Sequence, residues 1–150
     1  MNNRGACVLI GRGLRRKVPV DRIRVVLADD HPPMIARVRG TLGDEFEVID
    51  AAENGDQAVK SVLMLDPDVL ILDISMPVLN GLQAAERLQK ANSRARMIFL
   101  TIHEDPDFVR AAFAVGASGY VVKSRLNTDL VPAVREALVG KTFVSPDLKV

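Results

Sequence analysis

The chain carries four short, almost unbroken apolar runs, and each stops on a charged or hydroxyl side chain. Ile23-Arg24-Val25-Val26-Leu27-Ala28 leads into Asp29-Asp30, Val69-Leu70-Ile71-Leu72 into Asp73, Met97-Ile98-Phe99-Leu100 into Thr101, and Tyr120-Val121-Val122 into Lys123. A strand with one face in water alternates apolar with polar residues. Continuous Val, Ile and Leu mark strands covered on both faces, which is the condition of a parallel sheet. If the four runs are parallel, all four endings lie at their carboxyl ends, where open α/β sheets place their ligand crevice.

The intervening segments supply the crossovers that parallel strands require. Met34, Ile35, Val38 and Leu42 follow the acid pair at helical spacing, with Pro32 and Pro33 tolerable only in a first turn. Ala58, Val62 and Leu65 repeat likewise before the Asp66-Pro67-Asp68 turn, and Leu82, Ala85 and Leu88 do so behind Asn80-Gly81. Asp105 is placed to cap a helix opening on Pro106 and stopping at Gly116, and Leu130, Val134, Ala137 and Leu138 follow a cap expected at Asn127 or Thr128. A further strand, Phe46-Glu47-Val48-Ile49-Asp50-Ala51, sits between the first two helices. The expectation is a β-α unit repeated five times in one α/β domain, a size that 150 residues accommodate.

Composition narrows the setting. No apolar run approaches the roughly 20 residues that span a bilayer, and Val8-Leu9-Ile10 is too short for a signal-peptide core. Cys7 is the one cysteine, so no internal disulfide or cysteine metal cluster forms, as suits a reducing, cytoplasmic setting. The first 20 residues hold Arg4, Arg12, Arg15, Arg16 and Lys17 with no acid; against a net charge of +1, the other 130 residues are therefore mildly acidic at −4. Such a basic lead can touch nucleic acid, but it lacks aromatics and a helical face. Residues 1–21 are expected to be a flexible extension.

At the shared strand edge, Asp29, Asp30, Asp73, Thr101 and Lys123 would converge: three carboxylates, one hydroxyl and one ammonium. Carboxylates held together repel unless a cation joins them, and oxygen donors of this kind suit Mg²⁺. Asp73 is placed to attack a phosphoryl group and form an aspartyl phosphate, with Lys123 and Thr101 contacting phosphoryl oxygens.

These residues, with Ile74-Ser75-Met76-Pro77 and Asn80-Gly81 after Asp73 and Gly119-Tyr120-Val121-Val122-Lys123, resemble the receiver domain of two-component response regulators. His31-Pro32, Ala117-Ser118-Gly119-Tyr120, Lys123-Ser124 and Gly140-Lys141-Thr142-Phe143-Val144-Ser145-Pro146 resemble the NarL/FixJ (LuxR-type) branch. The resemblance implies a flavodoxin-like doubly wound sheet of five parallel strands, order 2-1-3-4-5, with five helices over residues 22–140. It also implies Asp30 and Asp73 as direct Mg²⁺ ligands, Asp29 acting through water, and the Ser75 carbonyl completing the set. Asp73 would be the acceptor of a phosphoryl group from a sensor histidine kinase. Thr101 would then move toward that group while Tyr120 turns inward, remodelling the surface of the fourth helix and fifth strand. Enzymatic activity would be limited to self-phosphorylation and autodephosphorylation. A homodimer is expected, with a self-complementary patch from Ile35 and Val38 on one helix and Leu130, Val131, Val134 and Leu138 on the last. Transcription would be controlled through a DNA-binding output domain beyond this chain, residues 141–150 beginning the linker. DNA contact would be indirect, and no membrane is involved.

Three other readings compete. A hydrolase working through an aspartyl phosphate commonly has a second aspartate two residues on, where Ser75 stands here. A flavin module would want small and hydroxyl residues after the first strand, not Asp29-Asp30-His31-Pro32-Pro33. A stand-alone receiver, or an interaction module that no longer needs phosphorylation, stays open. His31 and His103 read as solvated loop histidines, although His103 can touch the approach of water to the phosphoryl group.

Overall fold

The computed structural model describes residues 7–10, 14–17 and 22–148. Strands β1 (Cys7–Ile10) and β2 (Leu14–Lys17) form an antiparallel pair in the basic lead. The main body follows as β3 (Ile23–Ala28), α1 (Pro32–Thr41), β4 (Phe46–Ala52), α2 (Gly55–Leu65), β5 (Val69–Leu72), α3 (Gly81–Lys90) and β6 (Arg96–Thr101). It continues with α4 (Pro106–Ala114), β7 (Gly119–Val122), one 3₁₀ turn (Lys123–Arg125), α5 (Leu126–Leu138) and β8 (Phe143–Val144).

The strand order β4-β3-β5-β6-β7-β8 is the expected 2-1-3-4-5 with one strand added at the edge, and every pairing in it is parallel. The added β8 is two residues long, too short to show a period in sequence. The apolar runs are unbroken because successive side chains serve two cores. Val25, Leu27, Val69, Ile71, Ile98, Leu100 and Val121 face the layer of α1 and α5. Val26, Leu70, Leu72, Met97, Phe99 and Tyr120 face the layer holding α2, α3 and α4. With a period of two and both faces covered, no position is left for a polar residue until the strand ends.

The helix punctuation is mostly as expected. Asn80 and Gln83 form a reciprocal capping box on α3, and Asp105 accepts from the Asp107 N–H at the start of α4, whose first residue is Pro106. The cap expected at Asn127 or Thr128 is a correction: α5 begins at Leu126, directly off the 3₁₀ turn, and Arg125 at the cap position makes no side-chain capping bond. The preceding turn already supplies the entry geometry, and the Thr128 hydroxyl is spent on the Arg125 carbonyl and on Asp129.

The apolar patch expected on α1 and α5 needs a larger correction. Val38, Leu130 and Val134 are buried in the core, and Ile35, Val131 and Leu138 pack against it. The two helices contact each other, and α5 also packs on β6, β7 and β8. A helix wedged among that many neighbours needs more than one apolar stripe, and the surplus that sequence suggested is consumed there.

Candidate functional site

The carboxyl ends of β3, β5, β6 and β7 bring the expected residues to one edge. Asp29 and Asp73 are each 5% exposed and Thr101 is fully buried. The Asp73 N–H donates to the Ala28 carbonyl at 3.0 Å, so β5 enters the site in register with β3. After Asp73 the loop is clamped by two glycines. A Cβ on Gly81 would lie 1.9 Å from the Asp73 carbonyl oxygen, and one on Gly55 would lie 2.1 Å from that of Leu79. Only glycine permits α2 and α3 to begin this close to the loop backbone.

Lys123 occupies the middle of the site. Its Nζ donates to Asp73 Oδ2 at 2.8 Å and lies 2.9 Å from Asp29 Oδ2, with its side chain 12% exposed. Desolvation is the largest single influence on this ammonium and works against its charge. The hydrogen bonds and charges of Asp73 and Asp29 together outweigh that, and its pKa is raised. The remaining oxygens of the two acids accept backbone N–H groups, Asp73 Oδ1 from Ile74 at 2.7 Å and Asp29 Oδ1 from His31 at 2.9 Å.

Asp30 is different. Its Oδ1 is buried without a hydrogen bond, although His31 Nδ1 lies 3.0 Å away in ion-pair contact. His31 Nδ1 is also 3.2 Å from Asp29 Oδ1, and potential ligand atoms of Asp29, Asp30 and His31 fall within 4.8 Å of one another. The expectation for His31 is a solvated side chain. Its side chain is indeed 67% exposed, yet it belongs to the acid cluster. Its position directly after the acid pair was the available signal. A buried, unbonded carboxylate oxygen amid three acids and one ammonium fits a hard cation such as Mg²⁺.

His103 makes more contacts than a solvated loop histidine would. Its Nε2 is 2.9 Å from Ser75 Oγ, and its ring stacks on Phe108 of α4 with centroids 4.3 Å apart. Its backbone N–H donates to Thr101 Oγ1 at 3.3 Å and its carbonyl accepts from the Tyr120 hydroxyl at 2.7 Å. One residue thus joins the loop after Asp73, both expected switch residues and α4. No sequence period announces such a hub. Tyr120 is fully buried on the α2/α3/α4 side. A groove of about 520 Å³ lies at the opposite, amino edge of β6 and β7, where Arg94 and Arg96 line it without any acid cluster.

The model of the response regulator receiver domain matches residues 25–135. A transcriptional regulatory protein of Bacillus subtilis, YvfU, is 37% identical over 128 residues, covering 84% of this chain and 64% of the relative. A LuxR-family response regulator from Aurantimonas superposes with a TM-score of 0.80 at 30% identity, covering 85% of this chain and 93% of the other. The isolated receiver of RcsB from Salmonella enterica serovar Typhimurium, solved in the presence of the phosphomimetic BeF3⁻, gives 0.78 at 26% identity, covering 85% and 96%. The chain spans 57% to 64% of the length of the curated relatives it matches. No helix among the described residues is long and apolar enough to cross a membrane. With its strand order, its acid edge and these relatives in agreement, the chain belongs to the receiver domains of two-component response regulators, in the NarL/LuxR branch, a signalling domain and not a dedicated enzyme.

Proposed function

We propose that Asp73 accepts a phosphoryl group from the phosphohistidine of a sensor kinase. The observation that carries this reading is the buried triad of Asp29, Lys123 and Asp73 beside the unbonded Asp30 oxygen. An Asp73 carboxylate oxygen forms the new bond to phosphorus while the phosphorus–nitrogen bond breaks, its electron pair leaving with the donor imidazole. Lys123 follows the transferred group and neutralises one oxygen, and the Thr101 hydroxyl, released from the His103 N–H, donates to another. Asp30, Asp73, the Ser75 carbonyl and, through water, Asp29 are the residues that would hold Mg²⁺, which when bound supplies charge neutralisation for the transferring oxygens. The same groups support self-phosphorylation from small acyl phosphates and autodephosphorylation.

The output on this reading is a change at α4 and β7. Thr101 and the loop through His103 shift on this reading, and Tyr120, whose hydroxyl donates to the His103 carbonyl, is the buried post against which they move. Self-association of the phosphorylated form, and control of transcription from the cytoplasm through a DNA-binding output domain outside this chain, complete the proposal. YvfU, a transcriptional regulatory protein, supports the last part.

Incubation with acetyl phosphate and Mg²⁺ tests the chemistry: one acid-labile, base-labile phosphoryl group should appear on Asp73 and be absent from Asp73→Asn. Labelling that survives in Asp73→Asn, or proceeds unchanged in excess chelator, would sink the site. Sedimentation of the chain with and without BeF3⁻ and Mg²⁺ tests self-association, and an unchanged monomer in both conditions rejects it.

A further inference from the structure

Ser145 and strand β8 lie outside the acid pocket, yet they are tied into the sheet and both cores. Phe143 and Val144 pair with Gly119 and Tyr120 of β7. The Phe143 N–H donates to the Ser118 carbonyl at 3.1 Å and the Ser145 N–H to the Tyr120 carbonyl at 2.9 Å. Phe143 packs on one core, while Val144 and Leu148 pack on the other. The Ser145 hydroxyl, in a residue 1% exposed, accepts from the Val122 N–H at 3.2 Å and donates to Asp129 Oδ2 at 2.7 Å.

Asp129 is itself buried on α5, where it takes Arg125 Nε at 2.8 Å and Thr128 Oγ1 at 3.0 Å. Phe143, Val144 and Leu148 give this segment its apolar packing. A buried carboxylate with its donors adds something else, a contact whose strength depends on the position of charge. Arg125 shares its single 3₁₀ turn with Lys123, which is bonded to Asp73 and Asp29. The contacts therefore run without a gap from Asp73 through Lys123, the turn, Arg125 and Asp129 to Ser145.

We propose that these contacts form a latch through which the acid pocket controls the docking of residues 143–148 on the β7 edge. The idea rests on the phosphoryl reading given above. A dianion on Asp73 draws Lys123 out of its seat between Asp29 and Asp73. The turn Lys123–Arg125 moves with it, Arg125 pulls on Asp129, and Ser145 loses the partner that orients its hydroxyl. The two-state element is the segment itself, docked or loosened, and the chain beyond Ser145 is thereby freed or fixed.

Amide hydrogen exchange at Phe143 and Ser145 tests the latch, with BeF3⁻ and Mg²⁺ as the probe. In the wild type both amides should exchange about fivefold faster when the probe is added, the factor expected for one weakened hydrogen bond, while amides of β3 hold their rates. Ser145→Ala should exchange fast from the outset and show no further change there, yet keep its response at Thr101 and Lys123. Lys123→Ala should loosen the two amides with no probe present. Unchanged exchange at Phe143 and Ser145 in a wild type whose Thr101 and Lys123 amides respond overturns the latch. If the probe perturbs neither Thr101 nor Lys123, the phosphoryl reading fails, and the Lys123→Ala arm then decides the latch by itself: wild-type protection in that variant rejects it.

Discussion

Two buried carboxylate clusters flank the 3₁₀ turn, and they are completed to different degrees. Around Asp129 every demand is met: Arg125, Thr128 and Ser145 all donate to it, and Ser145 in turn satisfies the Val122 N–H. Burial is the strongest single influence on this carboxyl and opposes its charge, but the three hydrogen bonds and the Arg125 charge together hold it below the ordinary carboxylate range. Around Asp29, Asp30 and Asp73 one demand is left unmet. Lys123 answers two carboxylates at once, and Asp30 Oδ1 has no hydrogen bond. The loop behind Asp73 also carries Val78 at φ 68°, a left-handed conformation that a β-branched side chain adopts only under constraint. A completed cluster stabilises the fold, whereas an incomplete one carries a cost that a bound cation, on the proposed reading, relieves.

Substitution in the completed cluster should have the largest effect. Asp129→Ala strands a buried serine hydroxyl and removes three bonds, so urea unfolding should show a loss of about 3 kcal/mol. A loss no greater than that of an average surface substitution would erase the contrast.

The incomplete cluster should respond in the opposite sense. Adding Mg²⁺ at a hundred times its dissociation constant should stabilise the wild type by about 2 to 3 kcal/mol, read as a rise in melting temperature. Asp30→Asn should abolish that rise while leaving the metal-free protein as stable as before or slightly more so, because one of the crowded charges is gone. A metal-free Asp30→Asn that is markedly less stable would mean that Asp30 is a structural acid like Asp129.

Acid and alkali separate the clusters further. Asp129, with its folded pKa lowered, adds stability above the unfolded value of about 3.9 and loses it as pH falls through the folded value. Tyr120 is raised first by burial and then by the charges of Asp73 and Asp105, and Lys123 is raised by its acid partners against desolvation. Both add stability below their unfolded values near about 10 and lose it as pH rises through the folded ones. Urea midpoints across pH should therefore show an acid limb flattened in Asp129→Asn and an alkaline limb flattened in Tyr120→Phe. Limbs indifferent to those substitutions would assign the pH response elsewhere.

The smallest effect sharpens the same contrast. Val78 is 81% exposed, so replacing it removes little packing. Val78→Gly should raise stability by about 0.5 kcal/mol, the left-handed strain relieved less the added freedom of the unfolded chain. A loss would show that the Val78 side chain holds the loop.

Much of the molecule was open to inspection in the sequence. Four apolar runs with polar endings announce a parallel sheet and its ligand edge, because strands buried on both faces exclude polar residues until they leave the core. Asp105-Pro106 and Asn80-Gly81 mark helix starts through local chemistry that needs no tertiary partner. Asp29, Asp73, Thr101 and Lys123 could be named together because strand ends of one parallel sheet must share an edge.

What only the tertiary structure decided involves partners far apart in the chain or signals too short to have a period. β8 is two residues long, and its place beside β7 comes from the return of the chain after α5. Ser145 and Asp129 are 16 residues apart, and Ser75 and His103 are 28 apart; each pair meets because separate loops or elements converge, which neither neighbour sequence encodes. The apolar residues of α1 and α5 suggested an exposed patch because periodicity counts apolar positions without knowing how many neighbours a helix has. Packing against α1, β6, β7 and β8 turned most of that surplus into core.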